Sequence, residues 1–233
     1  MQLSPPLNDR EAPREAVDAA SFVLSLRARG IRDTAVLGAM ERVRRDLFAP
    51  RRFADLARTD VSLPLACGQT MTAPSTVATM LVALAAEPGQ AVLEIGTGSG
   101  YVTALLARIG CRVTTVERYE ALAEEAQIRL GIAGLEAAIQ MGVGDGLALD
   151  TGEQRFQRIL VNGAVPAIPN AVAALLAPGG RLVGGLAIDG FPRLIRIDRA
   201  ADGSLAEALG GPLRLATLLA TRAGAGAGAA LAA

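Results

Sequence analysis

Apolar positions at helical spacing open the chain. Ala16, Ala20, Val23, Leu24 and Leu26 predict a helix over residues 13–29 that Gly30 stops. Asp33 introduces a second helix, which turns Val36, Leu37, Met40 and Val43 inward. Residues 48–70 lose the period, and an irregular connection of that length usually serves a site. A helix is predicted over 72–86, with Thr72 or Ala73 at its cap and Pro74 in its first turn. Apolar runs and helical periods then alternate: "AVLEI" a buried strand, "GYVTALLARI" a helix, "RVTTVE" a strand, "YEALAEEAQIRLG" a helix. Such alternation predicts a parallel sheet covered on both faces. Further strands are predicted in "LEAAIQM", "RFQRILVNGA", "GRLVGGLA" and "RLIRIDR", and a helix in "NAVAALLA" stopped by Pro178, Gly179 and Gly180. "GSLAEALGGPLRLATLL" reads as a strand pair around a Gly-Gly-Pro turn, and the uncharged tail "AGAGAGAALAA" as disordered.

The 233 residues are about half apolar, enough for one α/β domain with a small appendage. Acids and bases balance at 23 each, so no excess positive charge is available to track nucleic acid or an acidic membrane. The chain has no His, which removes His-dependent triads, His metal sites and the commonest general base. Cys67 and Cys111 form no C-x-x-C pair, so no metal site is signalled and reduced thiols in the cytoplasm are expected. No apolar stretch is long enough to span a bilayer.

The candidate chemistry centres on "VLEIGTGSGY". Glycines at 96, 98 and 100 follow a strand and open a helix, where main chain without Cβ atoms can touch a ligand and helix N–H groups favour an anion. Glu117 ends the next strand, 21 residues after Gly96, where a carboxylate can accept the hydroxyl protons of a ribose. The G-x-G-x-G register differs from the dinucleotide fingerprint, which places its last glycine at the position of Tyr101. With Glu94 before it, this stretch resembles motif I of the class I S-adenosyl-L-methionine (SAM) methyltransferases. Asp145 and Gly146 in "GVGDGLAL" match the position that closes over the adenine; alone they are also an ordinary turn signal.

Upstream, Gln-Thr-hydrophobic-Ser/Thr-x-Pro occurs as Gln69 to Pro74 at the start of a helix. It resembles the hallmark of protein-L-isoaspartate (D-aspartate) O-methyltransferases. Between Arg44 and Leu219, "RRDLFAP", "LPLACGQT", "VLEIGTGSGY", "GDG", "AVPAIP", "LLAPGGRLV" and "DGSLAEALGGPLRLATLL" fall in that family's order. The resemblance implies a doubly wound, Rossmann-like, mostly parallel sheet with an antiparallel C-terminal strand and an N-terminal helical extension. It divides the chain into N-terminal helices and a covering loop at 1–72, a SAM-dependent domain at 73–221 and a tail at 222–233. It assigns cofactor binding to Gln69, Thr70, Met71, Glu94, Gly96, Thr97, Gly98, Gly100, Glu117, Arg118, Asp145 and Gly146, substrate binding to Thr72 and Ser75, and no metal.

By this resemblance Thr72 takes the place of the family's active-site Ser; it can also cap the helix that follows, and the two roles can coexist. The implied activity, methylation of the α-carboxylate of isoaspartyl residues in proteins, suits a chain without His, since that carboxylate is already ionised at neutral pH. A cytoplasmic monomer without nucleic-acid or membrane partners is expected. Ser75 stands where the family commonly has an aromatic residue or His, and Gln157 where it has Asp. The segment "LRLATLL" also replaces the family's more usual aromatic, valine and proline run. The first two departures keep open a different dedicated carboxylate acceptor, and the altered loop and apolar tail a non-catalytic SAM-binding module.

Overall fold

The computed structural model describes residues 11–218. The expected end of the domain at 221 and the tail at 222–233 lie outside the described residues. Three helices come first: α1 (Glu11–Ala28), α2 (Thr34–Arg42) and the single turn α3 (Arg45–Phe48). The Asp33 side chain starts α2 by accepting the Val36 amide at 2.9 Å, and Val36, Leu37, Met40 and Val43 are all buried. The irregular stretch contains a 3-10 turn (Arg51–Leu56) and a short antiparallel hairpin of β1 (Leu63–Pro64) and β2 (Thr70–Met71).

From there helix and strand alternate as the apolar pattern predicts: α4 (Pro74–Leu84), β3 (Ala91–Ile95), α5 (Tyr101–Ile109), β4 (Arg112–Glu117), α6 (Glu120–Ile132) and β5 (Ile139–Val143). The chain then crosses to β6 (Phe156–Val165), α7 (Asn170–Ala174), β7 (Leu176–Ile188), β8 (Phe191–Arg199) and β9 (Leu205–Pro212). The last seven strands form one sheet in the order β5-β4-β3-β6-β7-β8-β9. The first five in that order run parallel, β8 is antiparallel to β7, and β9 is antiparallel to β8. This is the expected doubly wound, Rossmann-like arrangement.

Consecutive residues of β3 bury to opposite faces. Val92 joins Leu160 and Val183 in a core built with Val77, Leu105 and the N-terminal Phe22 and Leu26, whereas Leu93 and Ile95 pack with Ile159, Leu182 and Val172 of α7. The N-terminal helices therefore share the core of the sheet. Strand order reverses at β3, between β4 and β6, and ligand crevices form at the carboxyl ends of strands there.

Three local expectations are corrected. α7 ends at Ala174 and not at Ala177, because Leu176 already pairs with Phe156 as β7 begins; the register slips across Pro178 to Gly180 before Arg181 meets Arg158. Gly210 and Gly211 make no turn. They lie within β9, where a Cβ at Gly210 would approach Leu194 Cδ2 to 2.8 Å, so glycine is what lets this strand close on β8. The reversal comes earlier, where the Ala200 amide donates to the Ser204 carbonyl at 2.9 Å. Finally, Glu136–Ala138 is a 3-10 turn, so "LEAAIQM" is strand only from Ile139.

Candidate active site

A cleft opens at the carboxyl ends of β3, β4, β5 and β6. Its floor is the glycine turn, where Gly96 and Gly98 have φ of 95° and 55°, values a side chain would strain. The Gly98 amide donates to Glu117 Oε2 at 2.8 Å and the Tyr119 amide to Oε1 at 3.0 Å. Glu117 is thereby fixed in one orientation, 5% exposed, on the cleft wall. Thr97, Arg118, Asp145 and Gly146 line the same space. Gly146 packs so closely under Ile95 that a Cβ would stand 2.7 Å from its Cγ2, and Asp145 caps the turn by accepting the Leu147 amide at 3.0 Å.

The other wall is the hairpin. The Leu65 amide donates to the Gln69 carbonyl at 2.8 Å, closing a loop through Cys67 and Gly68, both at positive φ. Gln69, Thr70, Met71 and Thr72 consequently face the glycine turn across the cleft. Thr72 does not cap the helix that follows. Ala73 is the N-cap of α4 and offers no side-chain bond; Asp60 caps the helix instead, accepting the Ser75 amide and hydroxyl, each at 2.9 Å. Among the described residues the Thr72 hydroxyl has no hydrogen-bond partner, although the residue is only 8% exposed. An uncommitted hydroxyl reached from the cleft, on an otherwise buried residue, is equipped to bond a ligand.

Ser75 lies outside the cleft lining. Its side chain belongs to a cluster in which Asp60 also takes Arg29 at 3.1 Å and Arg214 at 2.9 Å. Burial works against the charge of Asp60, but the Ser75 amide and hydroxyl and the two guanidinium groups outweigh it and hold the carboxyl below its ordinary value. Gly100 is also off the cleft: it is the N-cap of α5 at φ 84°, and a Cβ there would stand 3.2 Å from Ala126 Cβ. Gln157 lies at the opposite end of the sheet, where its Oε1 accepts the amide of Ala91, the first residue of β3, at 2.7 Å.

Glu94 is wholly buried beneath the turn. Its Oε2 accepts the Thr103 hydroxyl at 2.5 Å and the Thr115 hydroxyl at 2.9 Å. Burial pushes its carboxyl up to about 7 despite those bonds, and the neighbouring Glu117 carboxylate adds to the rise. Glu94 supports the turn from behind and does not line the cleft.

Some cleft residues escape the sequence reading. Asn162 of β6 donates to the Gly96 carbonyl at 3.0 Å and reaches Glu94 Oε1 at 3.4 Å. A lone amide within the apolar run "RILVNGA" was its signal. Residues 216–218 line the cleft, paired alongside β6 by bonds from the Ala164 amide to the Ala216 carbonyl and from the Leu218 amide to the Ala164 carbonyl, both 2.8 Å. They lie in "LRLATLL", the segment that departs from the family's usual aromatic, valine and proline run, but its residue types do not mark it as cleft lining.

The cleft suits a nucleoside bearing an amino-acid tail. Backbone without Cβ atoms lies open at Gly98, whose Cβ would meet only Leu65 at 3.7 Å, and a fixed acid stands beside it for the ribose. In comparisons with known proteins, the family model for protein-L-isoaspartate(D-aspartate) O-methyltransferase (PCMT) matches residues 18–218. The chain is 45% identical over 190 residues to the protein-L-isoaspartate O-methyltransferase of Azorhizobium caulinodans, covering 82% of this chain and 85% of that protein. It is 43% identical over 205 residues to the protein of the same name from Methylorubrum populi, covering 88% and 96%. Among solved structures, a protein-L-isoaspartate O-methyltransferase superposes over 86% of this chain and 65% of its own with a TM-score of 0.74 at 22% identity, and so shares the fold. A Plasmodium falciparum structure described as a beta-aspartate methyltransferase in complex with S-adenosyl-L-homocysteine does so over 85% and 97% with a TM-score of 0.75 at 21% identity. With the hallmark hairpin, the glycine turn and Glu117 gathered on one cleft and a family model matching nearly the whole described chain, this protein belongs to the protein-L-isoaspartate(D-aspartate) O-methyltransferase family.

Proposed function

We propose that the protein transfers the methyl group of SAM to the free α-carboxylate of L-isoaspartyl residues, the step that starts repair of damaged proteins. The observation that carries this reading is the Thr72 hydroxyl, which has no protein partner among the described residues and belongs to a largely buried residue facing the glycine turn and Glu117 across one cleft. When bound, SAM supplies a sulfonium methyl as electrophile, and the bonding pair stays on sulfur as the methyl leaves. Glu117 would hold the ribose hydroxyls, with Gly98 and Tyr119 orienting it. Asp145 and Gly146 would border the adenine and Arg118 the ribose side, while the backbone of Gln69 to Met71 would cover cofactor and substrate.

Thr72 would donate its hydroxyl to the attacking carboxylate. No group on the chain has to remove a proton, because the nucleophile is already ionised, so the residues act by orientation and exclusion of water. Methoxide leaves more readily than the oxide of a carboxylate, so the nitrogen of the following backbone amide attacks the ester carbonyl, methanol departs with the amide proton, and the succinimide that closes hydrolyses in part to normal aspartate. The departure at Gln157 bears on the base of β3 and not on the cleft, which favours this reading over a different acceptor.

A cytoplasmic monomer acting on protein or peptide substrates, without nucleic acid, completes the proposal. Two free cysteines and an even charge balance support it, and sedimentation checks the monomer. Among the described residues no helix is long and apolar enough to cross a membrane. The deciding experiment incubates an isoaspartyl peptide with methyl-labelled SAM. A base-labile labelled ester is expected, and labelling no greater than with the matching aspartyl peptide would overturn the function.

A further inference from the structure

Arg45, in the single turn α3, is 1% exposed, yet no carboxylate lies within ion-pair distance of it among the described residues, and the Asp60 carboxylate acts on it only through space. Its guanidinium is held by carbonyl oxygens alone: Nη1 donates to Ala57 at 2.6 Å, and Nη2 to Val61 at 3.2 Å and to Thr72 at 3.0 Å. The buried Nε has no partner. Tyr101, whose ring centroid is 5.8 Å from the guanidinium, also lines the cleft, so an aromatic ring and not bulk water lies on that side of the cation.

A cross-link between loop segments needs no uncompensated charge, and a buried cation without an anion is costly to keep. The cost is offset where an anion binds beside it in surroundings of low effective dielectric. Arg45 stands one hydrogen bond from the residue whose free hydroxyl faces the cleft.

Resting on the carboxylate-methylation reading above, we infer that Arg45 is a positioning residue. It fixes Thr72 through its carbonyl and supplies the positive charge that selects an anionic methyl acceptor. The substrate carboxylate would add, from the cleft side, to the charge balance that Asp60 supplies only through space and not by contact.

The test compares two peptides binding to the full chain saturated with S-adenosylhomocysteine. One carries the isoaspartyl α-carboxylate, the other the neutral carboxamide in its place. Wild-type protein is expected to favour the carboxylate by roughly tenfold or more, as for two opposite charges several ångströms apart at an intermediate effective dielectric. Arg45→Met and Arg45→Gln should lose most of that preference while binding S-adenosylhomocysteine within about threefold of wild type. Arg45→Lys keeps the cation but not the planar fork, so it should retain the preference while kcat falls.

Equal binding of the two peptides by wild type overturns the inference whether or not the variants fold. So does a full preference in a neutral variant, or loss of preference in Arg45→Lys. A purely structural Arg45 would lower thermal stability and cofactor affinity together and leave the preference untouched, which also overturns it. Wild-type protein that neither binds nor methylates the carboxylate peptide removes the functional reading itself, whereas methylation by wild type with an unaltered preference in the neutral variants removes this inference alone.

Discussion

The Gly98 amide and Glu117 Oε2 are joined at 2.8 Å, so the glycine turn after β3 and the acid ending β4 form one assembly. The Tyr119 amide occupies the other oxygen at 3.0 Å, and each oxygen keeps a lone pair for a ribose hydroxyl. Glu117→Gln sets an NH₂ group against one of those two amides, donor against donor. Affinity for S-adenosylhomocysteine should fall roughly tenfold to hundredfold by calorimetry. Unchanged affinity would take Glu117 out of the cofactor site.

Thr72 offers a cleaner separation of binding from chemistry. Its hydroxyl has no partner among the described residues, and Ala73 and Asp60 form the helix cap without it. Thr72→Ala should therefore lower kcat roughly 100-fold, as loss of one well-placed donor does, with cofactor affinity little changed. Thr72→Ser should recover most of the rate. Equal rates for all three would assign the carboxylate another donor.

What the chain made legible in advance follows how far each interaction reaches along it. The glycine turn, Glu117 and the hairpin before α4 were readable because each depends on neighbours within one strand-turn-helix unit, where conformation and residue type are directly coupled. Asn162 reaches Gly96 across 66 positions and Leu218 reaches Ala164 across 54, contacts that exist only once the sheet has assembled. The Gly-Gly-Pro turn and the longer α7 failed for a related reason. Glycine at 210 answers to Leu194 on the adjoining strand, and Leu176 to Phe156, so tertiary pairing overrode the local turn and helix signals.

Asp60 shows how one carboxylate can carry contributions of unequal weight. It caps α4 through Ser75, while its ion pairs reach Arg29 and Arg214, which are 47% and 68% exposed. Asp60→Ala should cost about 1–2 kcal/mol, as loss of a helix cap does. Arg214→Ala should change stability by less than about 0.5 kcal/mol, because exposed pairs are screened. The Asp60 carboxyl is held below its ordinary value, so its contribution is present at neutral pH and lost on acidification through the aspartate range. Urea unfolding of both variants measures the difference, and equal losses would show that the ion pair dominates the cap.

Glu94 has the opposite sign. Burial raises its carboxyl from about 4.5 to about 7, so between those values the folded protein holds a proton that the unfolded chain has released. Stability must then decline as pH rises through that window and level off above it, by up to roughly 3 kcal/mol. Glu94→Gln stays neutral throughout and can still meet the Thr103 and Thr115 hydroxyls, which are able to accept as well as donate. Its stability should lack that decline, so the variant gains on wild type between about pH 5 and about pH 8 in thermal unfolding. Parallel profiles would mean that the two threonine hydroxyls stabilise the ionised carboxylate enough to cancel its burial, leaving the acid beneath the glycine turn charged at every working pH.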